Sequence, residues 1–122
     1  MNRKVLIADD SAAIRSMLAD VLADAGFEVQ AAEDGKQALK LAQSFVPGLV
    51  ITDMNMPNLN GIDLVKSLRS LPAFKFIPIL VLTTEDQQEK IQLGRAAGAT
   101  GWMVKPFQPQ KMLAVVNKVF PA

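Results

Sequence analysis

The chain has 122 residues, half of them hydrophobic, with 13 Lys and Arg against 12 Asp and Glu. A domain of this length buries about two thirds of its unfolded surface, and its composition excludes a disordered chain. The charges nearly cancel, and no basic block is longer than Arg3-Lys4, so direct nucleic-acid binding is disfavoured.

Two residue types, cysteine and histidine, do not occur in the chain. Without cysteine there is no disulfide framework and no thiolate metal site, which fits a reducing, cytoplasmic compartment. Without histidine there is no imidazole base, no His-ligated zinc and no phosphohistidine on this chain. No apolar stretch approaches the roughly 18 residues that span a membrane, and the N-terminus lacks a signal core. We therefore expect no membrane association.

Five short apolar runs predict β-strands. They are Lys4–Ala8, Glu28–Ala32, Gly48–Thr52, Ile77–Thr83 and Gly101–Val104. Three of these runs are almost continuously apolar, which is typical of parallel strands that are covered on both faces.

Segments with helical periodicity lie between and after the predicted strands. The first predicted helix runs from an N-cap at Ser11 to a stop at Gly26, and the second from about Ala38 to a break at Pro47-Gly48. The third runs from an N-cap at Asn60 to Leu71-Pro72. The fourth runs from Gln87 to Ala97, and the fifth begins at Gln108-Pro109. Strand and helix thus alternate five times. This pattern predicts right-handed crossovers and an α/β fold with a doubly wound parallel sheet.

Polar side chains stand at or just beyond the predicted carboxyl ends of four strands, where open parallel sheets bind ligands. They are Asp9, Asp10, Asp53, Thr83 and Lys105. Three converging carboxylates repel each other, so a cation must offset them if all stay ionised, and Mg²⁺ suits oxygen ligands. With an ammonium and a hydroxyl nearby, the site is equipped to hold a phosphoryl group. A strand-end aspartate is a competent nucleophile for that group.

Four segments, IADDS, ITDMNMPNLNG, VLTTE and GWMVKPF, resemble the motifs of bacterial response-regulator receiver domains. The resemblance extends over essentially the whole chain and is strongest to stand-alone chemotaxis regulators of the CheY type. It implies a flavodoxin-like sheet of five strands in the order 2-1-3-4-5 with five flanking helices, and one receiver domain over residues 1–122. It also implies a free-standing signalling switch, not an enzyme, that catalyses its own phosphorylation and dephosphorylation.

The resemblance assigns the metal site and the phosphoacceptor. It implies that Asp53 accepts the phosphoryl group and also binds Mg²⁺, with Asp10 as a direct ligand beside it. Asp9 would act through a metal-bound water, and the backbone carbonyl of Asn55 would be a further ligand. The phosphoryl donor would be the phosphohistidine of a separate histidine kinase, which fits the absence of histidine here.

The resemblance also assigns the residues around the phosphoryl group. It implies that Thr83 is the switch hydroxyl and Lys105 the phosphate-binding ammonium, although Thr84 offers a second hydroxyl next to Thr83. Asn55 and Glu85 would control the phosphoryl lifetime. Pro106 stands where the family typically has a cis peptide bond, which proline makes accessible.

Trp102 occupies the position at which the family usually has a Tyr or Phe that rotates inward during switching. Indole is bulkier and its N–H needs a partner when buried, so we expect Trp102 to move less completely or to signal from an exposed position. Ile91, Leu93 and Val115 are expected to join it on an output face formed by the fourth and fifth helices and the fifth strand. A downstream protein would bind there, such as a flagellar motor switch.

Several other functions are compatible with parts of this pattern. A phosphorelay intermediate and a single-domain adaptor share the same chemistry and stay open. A haloacid-dehalogenase-type hydrolase would need a second Asp two residues after its nucleophile, where this chain has Asn55. A flavin or nucleotide binder would need glycines and hydroxyls where DDSAAI presents acids. The alternative without a function is that the aspartates only form turns at the strand ends and that Lys105 is a solvated surface charge.

Overall fold

The computed structural model describes residues 3–54, 56–83, 88–104 and 108–119. Strands and helices alternate along them, with one 3₁₀ turn, Pro72–Phe74, after the third helix. The strands are β1 (Lys4–Ala8), β2 (Glu28–Ala32), β3 (Leu49–Asp53), β4 (Ile79–Thr83) and β5 (Gly101–Val104). The helices are α1 (Ala12–Asp24), α2 (Gly35–Phe45), α3 (Gly61–Arg69), α4 (Gln88–Ala97) and α5 (Pro109–Val119).

The strands form one parallel sheet in the order β2-β1-β3-β4-β5, which confirms the predicted fold. The winding direction reverses between β1 and β3, which are hydrogen-bonded neighbours. A crevice therefore opens between the chain segments that leave these two strands at their carboxyl ends.

Both faces of the sheet are covered, because successive residues of a strand point to opposite sides. On one face, Val5 and Ile7 of β1 pack with residues of α1 and α5. On the other face, Leu6 and Ala8 pack with residues of α2 and α3, and Ala97 at the end of α4 lies against the same cluster. The central strands are apolar on both sides for this reason.

Three predicted boundaries differ from the structure. β3 is shifted by one residue and includes Asp53, which pairs with Leu82 of β4. β4 begins at Ile79 instead of Ile77, because Pro78 has no N–H to donate to a neighbouring strand. α2 begins at Gly35, before the predicted start at about Ala38, and it ends at Phe45 ahead of the predicted break, where Val46 takes a left-handed φ of 48° because the residue before proline avoids the helical conformation.

Three helices start at the carboxyl edge of the sheet with a side-chain N-cap. Ser11, Asp34 and Asn60 each accept a hydrogen bond from the backbone N–H three residues further on. Ser11 and Asn60 were predicted as caps. These caps fix where the chain turns next to the strand ends.

Arg69, in the last turn of α3, joins three segments at the opposite, amino edge of the sheet. Its guanidinium donates to the carbonyl oxygens of Phe74 and Ile77, each at 2.7 Å, and to that of Gly98 at 2.9 Å. Burial lowers the pKa of Arg69 below its usual value, but a guanidinium stays charged at neutral pH. The α3–β4 and α4–β5 connections are therefore held by one side chain.

Candidate functional site

Three carboxylates lie together at the carboxyl ends of β1 and β3. One oxygen each of Asp9, Asp10 and Asp53 lies within 4.8 Å of the others. The register explains this, because Ala8 pairs with Thr52 and the next residues along the two strands are Asp9 and Asp53. The sequence analysis predicted this cluster, and the structure brings its three acids together.

Two of the three acids are buried. Asp9 is 0% exposed and Asp53 is 6% exposed, whereas Asp10 lies at the surface. Three carboxylate groups so close together, two of them removed from water, are costly unless a cation lies among them. A donor set made only of carboxylate oxygens is the chemistry of a hard divalent ion such as Mg²⁺. The residues present therefore fit that ion.

The chain around Asp9 is fixed by contacts from α1. An Oδ1 atom of Asp9 accepts a hydrogen bond from the backbone N–H of Ser11 at 2.9 Å. An Nη1 atom of Arg15 donates to the backbone carbonyl of Asp9 at 2.8 Å. Sequence reasoning missed Arg15. The sequence signal that could have identified Arg15 was its position near the start of a helix that begins beside the acids.

Gly61, the first residue of α3, packs against the end of β3. A Cβ atom at Gly61 would lie 2.1 Å from the carbonyl oxygen of Asp53 and 2.9 Å from the Cα atom of Met54. The backbone N–H of Gly61 donates to the carbonyl of Met54 at 2.9 Å. The position of Asp53 therefore depends on the absence of a side chain at Gly61, which the sequence analysis did not predict.

Thr83 ends β4 at the same edge of the sheet. Its side chain is 3% exposed, and it pairs in register with Val104 of β5. Because Leu82 is level with Asp53, Thr83 lies one residue further along the neighbouring strand. The predicted switch hydroxyl is therefore buried beside the strand that carries the predicted phosphoacceptor.

Four predicted site residues lie outside the described residues. They are Asn55, Glu85, Lys105 and Pro106. Their roles as metal ligand, lifetime residues, phosphate-binding ammonium and cis proline stay predictions, as does the choice between Thr83 and Thr84 as the switch hydroxyl.

The predicted output face is only partly at the surface. Ile91 is 6% exposed, so it offers no side chain to a partner in this conformation, and that part of the prediction is corrected. Ile91 and Gly94, three residues apart, form the inner face of α4 and are both buried, whereas Leu93 is 55% exposed. Val115 is half-buried and packs against the core beneath α1 and α5.

Trp102 is half-buried and packs against the core on the α2–α3 side of the sheet. The guanidinium carbon of Arg95, on the last turn of α4, lies 4.6 Å from the centre of the Trp102 ring. This cation–π contact joins α4 to β5 through two side chains. The sequence analysis had not paired these residues.

Comparison with known proteins gives consistent results. The family model for the response regulator receiver domain matches residues 5–117. The chain is 38% identical over 120 residues to chemotaxis protein CheY-3 of Vibrio cholerae, covering 98% of this chain and 92% of that protein. It is also 38% identical to the alkaline phosphatase synthesis transcriptional regulatory protein PhoP of Bacillus subtilis, but spans only 49% of its length.

Among solved structures, chemotaxis protein CheY4 of Vibrio cholerae superposes with a TM-score of 0.93 at 48% identity. The match covers 98% of this chain and 99% of that one. Within the described residues, no helix has the length and apolar character needed to cross a bilayer. The acid cluster at the strand ends, the strand order and these matches agree, and the chain belongs to the response regulator receiver domain family.

Proposed function

We propose that Asp53 accepts a phosphoryl group from the phosphohistidine of a histidine kinase in a Mg²⁺-dependent reaction, and that the acyl phosphate changes a protein-binding surface. The observation that carries this proposal is the meeting of Asp9, Asp10 and Asp53 within 4.8 Å at the ends of two central strands. One of these acids must be the nucleophile, and Asp53 alone ends a strand that is buried along its whole length.

The transfer requires that a carboxylate oxygen of Asp53 attack the phosphorus atom. The new O–P bond forms as the N–P bond of the phosphohistidine breaks, and the departing imidazole nitrogen keeps the electron pair and takes up a proton. Bound Mg²⁺ would supply positive charge that offsets the carboxylates and the transferring oxygens. Asp53 is nearly enclosed, which limits the access of competing water to the product.

Residues around Asp53 would bind the cation. Asp10, Asp53 and the backbone carbonyl of Asn55 would hold the cation directly, with Asp9 acting through water. The contacts of Ser11 and Arg15 with Asp9 support this arrangement, because they fix the loop that carries both acids.

Thr83 and Lys105 would bind the phosphoryl oxygens after transfer, and Asn55 and Glu85 would control the approach of hydrolytic water. The resulting module switches its own state and has no separate substrate, so we class it as a signalling switch and not as an enzyme.

Output would pass from Thr83 to the face formed by α4, β5 and α5. Trp102 and Thr83 lie on the same side of the sheet, because Trp102 pairs with Val81, two residues before Thr83. Leu93 is exposed on α4, and Val115 is half-buried on α5, against the core on the other face of the sheet from Trp102. The Vibrio cholerae relatives are chemotaxis proteins, which supports a motor-switch target over a phosphorelay or adaptor role.

The experiment is phosphorylation with acetyl phosphate, followed by intact-protein mass spectrometry. We expect a gain of one phosphoryl group in the presence of Mg²⁺, none after chelation, and none in the Asp53→Asn variant. Wild-type protein that gains nothing, or an Asp53→Asn variant that gains as much as wild type, would refute the proposal. Pull-down with the beryllofluoride-activated form would then distinguish a motor-switch target from a relay partner.

A further inference from the structure

The loop between Asp53 and α3 is attached to the N-terminus of α2 as well as to its own helix. A side-chain N–H of Asn58 donates to Oδ2 of Asp34 at 3.0 Å. The other carboxylate oxygen of Asp34 accepts from the backbone N–H of Gln37 at 2.8 Å, which is the N-cap bond of α2. One carboxylate therefore caps a helix with one oxygen and holds the loop with the other.

The backbone of this loop makes the attachment specific. Asn58 has a φ of 70°, a left-handed conformation that asparagine adopts more readily than most residues. The N–H of Leu59 donates to the carbonyl of Pro57 at 2.8 Å, which closes a tight turn around Asn58. The amide of Asn58 is thereby directed toward α2.

A second contact between the loop and α2 lies directly beside the first. A Cβ atom at Gly35 would lie 2.0 Å from the carbonyl oxygen of Leu59, so the first residue of α2 must be a glycine for the loop to sit there. At the far end of the loop, Gly61 closes against Met54 and Asp53. The loop therefore contacts α2 at Asn58 and Leu59 and the end of β3 at Gly61.

Asp34 is held in its charged form. The backbone N–H of Gln37 is the main cause that lowers the pKa of Asp34, and the Asn58 side chain contributes in the same direction. A hydrogen bond to an ionised acceptor is stronger than one between neutral groups. The Asp34–Asn58 pair is therefore formed throughout the neutral pH range.

We propose that the Asp34–Asn58 pair positions the loop after Asp53 and so sets the affinity of the acid cluster for Mg²⁺ and the rate at which Asp53 is phosphorylated. The inference rests on the proposed role of Asp53. Asn58 lies three residues before Gly61, which packs against the carbonyl oxygen of Asp53, so a loop that shifts at Asn58 also shifts the contact that fixes the end of β3. Asp34 and Asn58 are positioning residues, since neither is among the groups that we assign to the phosphoryl group or the metal.

The test uses two single variants and their combination. Asp34→Ser keeps the N-cap, since serine caps helices about as well as aspartate, but it removes the oxygen that Asn58 contacts. Asn58→Gly keeps the left-handed backbone but removes the amide. Glu33→Gln is the matched control for charge, because Glu33 is exposed, adjoins Asp34 and uses only its backbone N–H in the contact with Gln37.

We expect each single variant to weaken Mg²⁺ binding, measured by calorimetry, by about two- to tenfold, the range that the loss of one hydrogen bond produces. The double variant should be no weaker than either single variant, and Glu33→Gln should bind like wild type. In metal-free protein, the amides of Leu59 and Gly61 should exchange faster in both single variants, while amides of β1 keep wild-type rates. Phosphorylation by acetyl phosphate should slow in parallel with the loss of affinity.

Unchanged Mg²⁺ affinity and unchanged amide exchange in both single variants would overturn the inference. Effects that add in the double variant would also overturn it, because they would show that the two residues act separately. If wild-type protein binds Mg²⁺ but is not phosphorylated, the proposed function fails, while the affinity and exchange measurements still decide the role of the pair.

Discussion

Replacing Gly61 by alanine tests how strictly the fold positions Asp53. The added Cβ atom would lie 2.1 Å from the carbonyl oxygen of Asp53. Ordinary contact distances between such atoms are about 3.5 Å, so the end of β3 and the start of α3 must separate by about 1.4 Å. A displacement of about 1 Å at a reacting group can reduce the rate by about 10²-fold, and overpacking of this kind costs about 1–3 kcal/mol of stability.

The assay is the rate of phosphorylation by acetyl phosphate, with thermal unfolding measured alongside. Gly94→Ala is the matched control, because among the described residues the added Cβ atom in the middle of α4 meets no atom outside its own stretch of helix within 4 Å. That variant should gain about 1 kcal/mol of stability, since alanine favours a helix interior over glycine, and should keep the wild-type rate. A folded Gly61→Ala protein that is phosphorylated as fast as wild type would refute the reasoning.

Three further predictions concern other parts of the fold. Arg69→Met should lower the free energy of unfolding by about 2–4 kcal/mol, because three carbonyl oxygens lose a charged donor. Urea unfolding measures this free energy, and a loss of less than about 1 kcal/mol would contradict the prediction. Arg95→Gln should shift the fluorescence emission of Trp102 to longer wavelength, because the guanidinium no longer shields the indole ring from water. The substitution should also lower the free energy of unfolding by about 0.5–1 kcal/mol. An unchanged emission spectrum would count against the stacked pair. Because the folded pKa of Asp34 lies below 3.8, its contribution is present above that pH and is lost as the pH falls through the folded pKa. Acid unfolding of Asp34→Ser should therefore be less steep below pH 3.8 than that of wild type, and parallel curves would contradict this.

Local sequence patterns predicted the alternation of elements well, because burial on both faces demands continuous apolar strands. The bounds of β1, β2 and β5 were confirmed, and the N-caps at Ser11 and Asn60 were found where serine and asparagine precede apolar stripes. The acid cluster was also predictable, since parallel strands bring their carboxyl ends to one edge.

Contacts between distant segments were not predictable from those patterns. The bond from Asn58 to Asp34 spans 24 residues and the bond from Arg69 to Gly98 spans 29, and both depend on how helices pack on the sheet. The burial of Ile91 likewise follows from the rotation of α4 on its neighbours, which a short and weakly amphipathic helix leaves open. Arginine and asparagine have many acceptable environments, so their identity alone does not choose a partner.

The pairing of Ala8 with Thr52 has a consequence for how this chain tolerates insertions. One residue added within β1 or β3 would reverse the direction of every later side chain in that strand. The carboxylate at the end of that strand would then point away from the other carboxylates of the cluster. The connection before β4 has no such alternation, although Arg69 holds the carbonyl oxygens of Phe74 and Ile77 within it. The side chain of Phe76 is 93% exposed, so a label that replaces this side chain would sit at the far edge of the sheet and leave both the Arg69 contacts and the carboxylate centre unaltered.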